Sequence, residues 1–299
     1  MYVILGASGN TGHIVAKNLL AHGEKVRVVG RNGAHLQTLT AQGAETFIGD
    51  VTNAASLSLA FHKADAAYVM IPPDLTSSDF RGYQETVSDA IAAAVKNAGV
   101  THIVSLSSIG ADKDTGTGPV VGLHNLEQKL NQIEGANVLH LRAGYFMENT
   151  LPQVGAIRMA GSAIGPLAPD LKLPMIATRD IGEAAADALL RLGFRGKQTR
   201  ELQGQRDLDY TEATAIIGKA IGKPGLGYIQ APSGQIHAAM VQMGMSDNLV
   251  GLILEMAGAL DRGYMRALEA RTSHNTTPTS FETFVAEVFV ASFQQQTAA

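Results

Sequence analysis

Three glycines recur at three-residue spacing in the segment GASGNTG, which runs from Gly6 to Gly12. Gly6 permits a tight turn, Gly9 lets the backbone approach a pyrophosphate, and Gly12 lets a helix pack closely on a sheet. The segment follows an apolar run and precedes a helical pattern, so free N–H groups at a helix N-terminus would face the phosphates. This context predicts a nucleotide-binding loop. The loop residues expected to contact the cofactor are Gly6, Ser8, Gly9, Asn10, Thr11 and Gly12.

The residue that follows the second apolar run indicates which dinucleotide fits. Sites specific for NAD place Asp or Glu about 20 residues past the glycine loop, where it binds the ribose diol. This chain has Arg31 there, followed by Asn32. A guanidinium suits the 2′-phosphate of NADP(H) and cannot accept hydrogen bonds from the diol. NADP(H) is therefore the predicted cofactor, with Asn32 assisting. The alternative is an ordinary solvated arginine at a strand end.

Asp50 follows the third apolar run, in the segment GDV that ends with Val51. Both residues are predicted to contact the cofactor, and Asp50 is placed to meet the adenine amino group. A turn or helix-cap role for Asp50 is an equal alternative, because a predicted helix follows it.

These residues need a scaffold, and the first half of the chain predicts one. Short apolar runs rich in Val and Ile, typical of buried parallel strands, alternate with amphipathic stretches. Such alternation implies right-handed crossovers and a sheet covered on both faces. We therefore predict an α/β fold, a Rossmann doubly wound parallel sheet with a smaller, mostly helical C-terminal substrate lobe. The predicted strands are Tyr2–Leu5, Lys25–Val29, Glu45–Ile48, Ala66–Ile71, His102–Leu106, Val138–Arg142 and Thr199–Leu202.

The second half of the chain changes character. Gly, Pro and Ala crowd residues 161–174, which are predicted to form a loop, and a helix is predicted over Asp180–Leu192. From Tyr210 the pattern is mostly helical, with breaks at Pro224 and Pro232.

Two units follow from these patterns. The NADP(H)-binding Rossmann domain is predicted over residues 1–152, and residues 176–205 return to it. A smaller substrate-side lobe is predicted over 153–175 and 206–299. Since ligands bind outside the carboxyl ends of such strands, this lobe would pack over those ends.

Composition excludes several classes of function. The formal charge of -4 argues against a general nucleic-acid surface. The chain has no Cys, which excludes disulfides, thiolate metal sites and a Cys nucleophile, and the scattered His residues predict no metal site. The start, MYVILGASG, shows no leader, and no stretch approaches the ~20 apolar residues of a membrane span. We expect a cytoplasmic protein, monomeric or homodimeric, that is not membrane-bound.

Four further segments carry a family resemblance: IVSLSSIGAD at 103–112, GLHNLEQKL at 122–130, LRAGYFMEN at 141–149 and TRDIGEAAADALL at 178–190. Together with the glycine loop they resemble the NmrA-like proteins, which are atypical members of the short-chain dehydrogenase/reductase superfamily. The resemblance covers essentially the whole chain. This family contains NADPH-dependent quinone reductases, relatives that act on other conjugated or aromatic substrates, and regulators that bind NADP(H) without known turnover.

The resemblance implies roles for individual residues. Ser108 matches the serine that donates to the substrate carbonyl in ordinary superfamily members, and the adjacent Ser107 could take that place. His124 falls where those enzymes have Tyr, and Gln128 falls where they have Lys. Quinone-reductase-like members share this His, with a Glu three residues on, here Glu127. The implied catalytic residues are His124 and Ser108. The alternatives are a packing role for His124 at a helix start and a solvated helix position for Glu127.

The resemblance also implies which residues surround the ligands. Residues beside the nicotinamide are Ala143, Gly144, Tyr145 and Phe146, together with Ser107. Residues on the ribose side are Ile71, Pro72 and Pro73. Residues near the substrate are Tyr145, Phe146 and Asn149.

The missing Tyr and Lys restrict the acceptor. A simple ketone becomes a strongly basic alkoxide when hydride arrives, and the Tyr–Lys pair protonates it. The reduced oxyanion of a quinone is far less basic, so water, or a His with an ordinary pKa near ~6.5, could supply its proton. We predict an NADPH-dependent reductase whose partner is a small-molecule electron acceptor, a quinone or a similar conjugated molecule. The alternative is a non-catalytic NADP(H)-binding redox sensor.

Overall fold

Seven parallel strands form the central sheet of the protein in the computed structural model, which describes residues 1–295. The strands are β1 (Tyr2–Ile4), β2 (Val26–Gly30), β3 (Glu45–Ile48), β4 (Ala66–Val69), β5 (His102–Ser108), β6 (Asn137–Ala143), β7 (Tyr145–Phe146), β8 (Ala163–Gly165), β9 (Leu173–Ile176), β10 (Lys197–Leu202), β11 (Asp207–Leu208) and β12 (Tyr228–Gln230). The helices are α1 (Asn10–Ala21), α2 (Gln37–Ala41), α3 (Ala54–Ala60), α4 (Phe80–Ala98), α5 (Val120–Asn131), α6 (Gln153–Ala160), α7 (Thr178–Arg191), α8 (Tyr210–Ala220), α9 (Ser233–Gln242), α10 (Asp247–Asp261), α11 (Phe281–Phe284) and α12 (Val290–Gln295).

The strand order of this sheet is β3-β2-β1-β4-β5-β6-β10. All of its neighbouring pairs are parallel, as in β1 with β2 and β1 with β4. The predicted doubly wound Rossmann fold is therefore confirmed. Each end of the seven predicted strands lies within two residues of the observed end. The order reverses direction between β1 and β4, and ligands of such sheets bind outside the carboxyl ends of the strands at this point.

Helix α4 illustrates how local sequence sets these elements. The Asp79 carboxylate accepts a hydrogen bond from the Gly82 N–H at 3.0 Å, which caps the helix N-terminus. The helix ends at Gly99, whose φ of 65° is left-handed. The apolar face of the helix is buried against the sheet, and its members are Val87, Ile91, Ala94 and Val95.

Two hydrophobic cores sandwich the sheet. Helices α1 and α7 cover one face through residues such as Val15 and Ile181. They approach closely at Gly182, where a Cβ would lie 2.6 Å from the Cβ of Ile14. Helices α3, α4 and α5 cover the other face, with Leu126 as one of the buried residues.

A third core lies in the C-terminal part, which is mostly helical as predicted. The loop prediction for residues 161–174 is wrong in part, because β8 and the start of β9 fall within it. Their partners are distant in sequence: β8 pairs with β12, and β9 pairs with β7 and β11. Strand β12 also interrupts the predicted helical region. The last four residues of the predicted lobe, 296–299, lie outside the described residues.

Candidate functional site

The glycine loop has the geometry of a cradle for a phosphate group. Gly6 adopts a left-handed φ of 65°, and the Gly9 N–H donates to the Gly6 carbonyl at 2.9 Å. A Cβ at Gly12 would lie 2.6 Å from the Gly6 carbonyl carbon, so only glycine fits. A Cβ at Gly9 would make only an ordinary contact, at 3.4 Å, which leaves open space above the loop. Helix α1 has no side-chain cap and no acidic residue in its first turn, so its N-terminus is open to an anion.

The polar residues of the loop divide into two groups. Ser8 and Asn10 are exposed on the open side. Thr11 is buried, and its hydroxyl accepts a hydrogen bond of 2.8 Å from Tyr68. The Thr11 side chain packs inside the fold, while its backbone N–H belongs to the open first turn of α1. The contact of Thr11 with the cofactor stays a prediction.

Arg31 lies directly after β2 and is exposed. Within residues 1–295 it forms no hydrogen bond or ion pair, so its guanidinium is available to a ligand. Asp74, in the loop after β4, has a lowered pKa, because Thr76 donates hydrogen bonds to it and Arg31 lies nearby. Asn32 uses its side-chain oxygen to accept from the Ala34 N–H at 2.9 Å, which leaves its amide NH₂ as the group that could assist Arg31.

Asp50 closes a local turn after β3. Its Oδ1 accepts from both the N–H and the hydroxyl of Thr52, each at 2.9 Å. The cap of α3 is Asn53 and not Asp50, since Asn53 accepts from the Ser56 N–H. Asp50 thus takes part in a turn and its side chain remains exposed, so its contact with the cofactor stays a prediction. Val51 is buried below it.

The loop after β4 is held from two sides. Tyr83 donates its hydroxyl proton to the Pro72 carbonyl at 2.7 Å. The Phe80 N–H donates to the side-chain oxygen of Asn248, at the start of α10, at 2.9 Å. Met70, at the beginning of the loop, packs directly on Gly6. A Cβ added to Gly6 would lie only 2.7 Å from the Met70 sulfur.

A cavity of about 710 Å³ opens at the carboxyl ends of β4, β5 and β6. Its walls are mostly apolar, and Met70 is one of them. The sequence-predicted site residues that line the cavity are Ile71, Pro73, Ser107, Ser108, Ala143, Gly144, Tyr145, Phe146 and Asn149. The cavity thus adjoins the glycine loop through Met70 and brings together predicted site residues from three separate segments.

Helix α10 supplies a wall that the sequence did not assign to the site. Leu249, Ile253, Met256 and Leu260 face the cavity from this helix. The sequence pattern of α10 is that of any buried amphipathic helix, so no local signal separates a cavity wall from plain core.

A buried ionic network lies beside the cavity. The Ser107 hydroxyl donates to Glu127 at 2.5 Å. Arg142 donates two hydrogen bonds to the same carboxylate, at 2.9 and 2.6 Å. The pKa of Arg142 is raised, chiefly by these hydrogen bonds. The alternative of a solvated helix position for Glu127 is wrong, because this residue is only 2% exposed and Arg142 on β6 compensates its charge.

The two residues implied to be catalytic are placed differently. Ser108 lines the cavity, and its hydroxyl donates to the Ile109 carbonyl at 2.9 Å. His124 is not among the described residues that line the cavity, and its Nδ1 lies 2.9 Å from the Ala111 carbonyl oxygen. Gln128 is exposed on α5. Ser108 therefore lies at the cavity, whereas His124 and Gln128 are not among the described residues that line it.

Tyr145 connects the cavity to the C-terminal core. Its hydroxyl lies 3.0 Å from that of Tyr210, and burial raises the pKa of both phenols. Asn149 also hydrogen-bonds to Tyr145. Packing requires glycine at position 144, just before Tyr145, since a Cβ on Gly144 would overlap the Pro174 carbonyl oxygen.

Two negative findings apply to residues 1–295. None of the helices there combines the length and apolar character required to cross a bilayer. The same residues contain no group of three or more His, Cys, Asp or Glu side chains arranged to hold a metal ion.

Comparison with known proteins identifies related molecules. The model of the NmrA-like family matches residues 2–285. An NAD(P)H azoreductase from Xenophilus azovorans is 28% identical over 269 residues, which is 89% of this chain and 89% of the relative. An NADPH-dependent quinone oxidoreductase from Escherichia coli, solved with NADPH, has a TM-score of 0.80 at 25% identity and covers 97% of this chain and 100% of its own. NmrA, a negative transcriptional regulator solved with NADP, shares the fold, with a TM-score of 0.67 at 18% identity over 99% of this chain and 97% of its own.

Proposed function

This chain belongs to the NmrA-like family, and we propose that it is an NADPH-dependent reductase of quinones or similar conjugated acceptors. The observation that carries the proposal is the apolar cavity of about 710 Å³ that adjoins the glycine loop through Met70. The azoreductase and quinone oxidoreductase relatives, which use nicotinamide cofactors by their names, support the same reaction class.

The residues present fit NADP(H). The open space above Gly9 and the uncapped N-terminus of α1 suit the pyrophosphate, and the unpaired Arg31 suits a 2′-phosphate. Ile71 and Pro73 would border the ribose and nicotinamide where the cavity begins. When bound, NADPH supplies a hydride to the acceptor.

The chain's own residues then position the acceptor. Apolar walls from Phe146 and α10 suit a flat conjugated molecule. Holding the acceptor in place supplies much of the rate enhancement in such a site. Ser108 carries a hydroxyl at the cavity wall. Its proton is donated to the Ile109 carbonyl, so the hydroxyl would have to rotate to donate to an acceptor oxygen. The Ser107 proton is already engaged by Glu127.

The proton balance favours an acceptor with a weakly basic reduced form. Neither a Tyr nor a Lys stands on α5 at the positions of His124 and Gln128. A reduced quinone oxyanion can take its proton from water, whereas an alkoxide requires a positioned acid. The open cavity also favours turnover over the alternative of a non-catalytic NADP(H) sensor, for which a filled cavity would be expected.

The test is NADPH oxidation, followed by absorbance, with a panel of benzoquinones and naphthoquinones. We expect turnover with quinones and none with simple ketones such as cyclohexanone. A chain that binds NADPH by calorimetry but reduces no member of the panel would favour the sensor.

A further inference from the structure

A second recess, of about 610 Å³, opens beside the apolar cavity. Two residues, Gly263 and Arg266, line both spaces, so the recess continues the cavity. It lies between the segment that contains Lys113 and Gly116 and the segment that follows α10. A molecule seated in the cavity could therefore extend a substituent into this recess.

The lining of the recess is cationic. Of the seven described residues that line it, Lys113, Arg262 and Arg266 are cations and none is a carboxylate. Lys113 pairs with Asp112 at 2.7 Å, at the edge of the recess. The guanidinium groups of the two arginines form no hydrogen bond or ion pair within residues 1–295, although the Arg262 backbone N–H donates to the Gly258 carbonyl at the end of α10. Two guanidinium groups without a carboxylate partner, in a chain of formal charge -4, are suited to an anionic ligand.

Packing between the two segments holds together the backbone that carries these cations. Gly110 has a φ of 93°, and a Cβ there would lie 2.7 Å from the methyl carbon of Met265. Met265 is buried between its two exposed neighbours, Tyr264 and Arg266. The Lys113 ammonium lies 5.6 Å from the centre of the Tyr264 ring, within the range of a cation–π contact. Buried Met265 thus anchors the segment that lines the recess. A planar guanidinium such as that of Arg262 suits an oxyanion with two acceptor oxygens.

We propose that the recess binds an acidic group carried by the acceptor, whose conjugated part occupies the apolar cavity. A carboxylate, a sulfonate or a phosphate ester has the required charge and oxygen geometry. This inference rests on the proposed function for the identity of the conjugated part, whereas the charge preference stands on the recess itself. It narrows the substrate class from conjugated acceptors in general to acidic ones.

Direct binding tests this preference without turnover. Naphthalene-2-sulfonate and naphthalene-2-sulfonamide have nearly the same shape and differ in charge, and neither accepts hydride. Calorimetric titration of the full chain, saturated with NADP⁺ so that the nucleotide site is filled, gives the two dissociation constants. We expect the sulfonate to bind about tenfold more tightly at low salt, and the difference to shrink as salt is added.

Variants locate the effect. Arg262→Gln should weaken sulfonate binding about fivefold and leave sulfonamide binding within twofold, a size expected for one partly exposed ion pair. Arg191→Gln removes the same charge from the exposed end of α7 and should change neither constant. The melting temperature of each variant is measured alongside, because Arg262 also lies at the C-terminus of α10.

Three results would overturn the acidic subsite: equal affinity for the two ligands, equal losses for both in Arg262→Gln, or a lowered melting temperature with an unchanged affinity ratio. A preference for the sulfonate with no NADPH oxidation by any quinone would instead refute the proposed reductase and leave the subsite standing. If quinones are reduced, the turnover of sulfonated and unsulfonated quinones measures the same charge effect in the reaction.

Discussion

The carboxylate of Glu127 joins two strands at one point, since it accepts from Ser107 at the end of β5 and from Arg142 near the end of β6. Both Ser107 and Glu127 are only 2% exposed. Removing one member of a buried pair leaves the other charge uncompensated, which is more costly than removing both.

Glu127→Gln should therefore lower the free energy of unfolding by about 3 kcal/mol. The exposed Glu134→Gln, on the turn after α5, should change it by less than about 0.5 kcal/mol. Urea denaturation of the two variants and the parent measures both values. A loss below about 1 kcal/mol for Glu127→Gln would mean that the Arg142 charge finds other compensation.

Arg31→Asp should weaken NADPH binding far more than NADH binding. The 2′-phosphate would lose a guanidinium partner and face a like charge, a change on the order of 3 kcal/mol. Calorimetric titration with both cofactors measures it, and Arg191→Asp serves as a control remote from the glycine loop. Equal losses for the two cofactors would remove Arg31 from the site.

Gly9→Val should abolish binding of both cofactors while the fold survives. The backbone at Gly9 is extended, and a Cβ meets nothing closer than 3.4 Å, so the side chain fits the protein but fills the space meant for the pyrophosphate. Gly12→Ala should instead lower the melting temperature, because its Cβ strikes the backbone of Gly6. Normal NADPH affinity in folded Gly9→Val would refute the cradle.

His124→Ala should reduce quinone turnover by less than about tenfold and leave the NADPH dissociation constant nearly unchanged, since a required general acid is worth ~100-fold or more. The reason is its place outside the cavity lining, with Nδ1 at 2.9 Å from the Ala111 carbonyl. Ser108→Ala, which alters the cavity wall, should have the larger effect on the Michaelis constant. Steady-state kinetics decide the matter, and a thousandfold loss in His124→Ala would establish it as a general acid.

Acid should destabilise the protein partly through His140. Burial lowers the pKa of this residue to about 4 from 6.5. A lowered pKa means that the folded state binds fewer protons than the unfolded state, so this stabilisation is present above pH 6.5 and is lost as the pH falls toward 4. The parent should thus lose about 3 kcal/mol more than His140→Gln between pH 7 and pH 4, measured by urea denaturation. The exposed His62→Gln should follow the parent.

Local patterns were sufficient for the central sheet and for its glycine loop. Apolar runs such as Ala66–Val69 and the helical face around Ile91 reflect burial on the two sides of one sheet, which periodicity records directly. The short strands within residues 161–174 escaped prediction because their stability comes from pairing: Ala163 lies opposite Tyr228, far along the chain.

At the candidate site, the sequence favours a role where residue type and context agree. A glycine triplet between a strand and a helix, and an arginine after β2, favour phosphate binding, and these contacts stay predictions. In the sequence, Glu127 looks like a solvated helix residue. Its carboxylate is a buried acceptor only because the fold places Ser107 and Arg142, from neighbouring strands, within hydrogen-bond distance. The cationic recess depends in the same way on two loops that meet only in the folded chain.

Met70 packs on Gly6 and also lines the cavity, so one side chain is shared by the cofactor cradle and the acceptor space. A flexible thioether adapts readily to changes on either side of it. Settling of the glycine loop around a pyrophosphate is therefore expected to alter the shape offered to the acceptor. By thermodynamic reciprocity, the acceptor must then change the cofactor's affinity by the same factor. The contact between Gly6 and Met70 is thus expected to couple cofactor binding to acceptor binding.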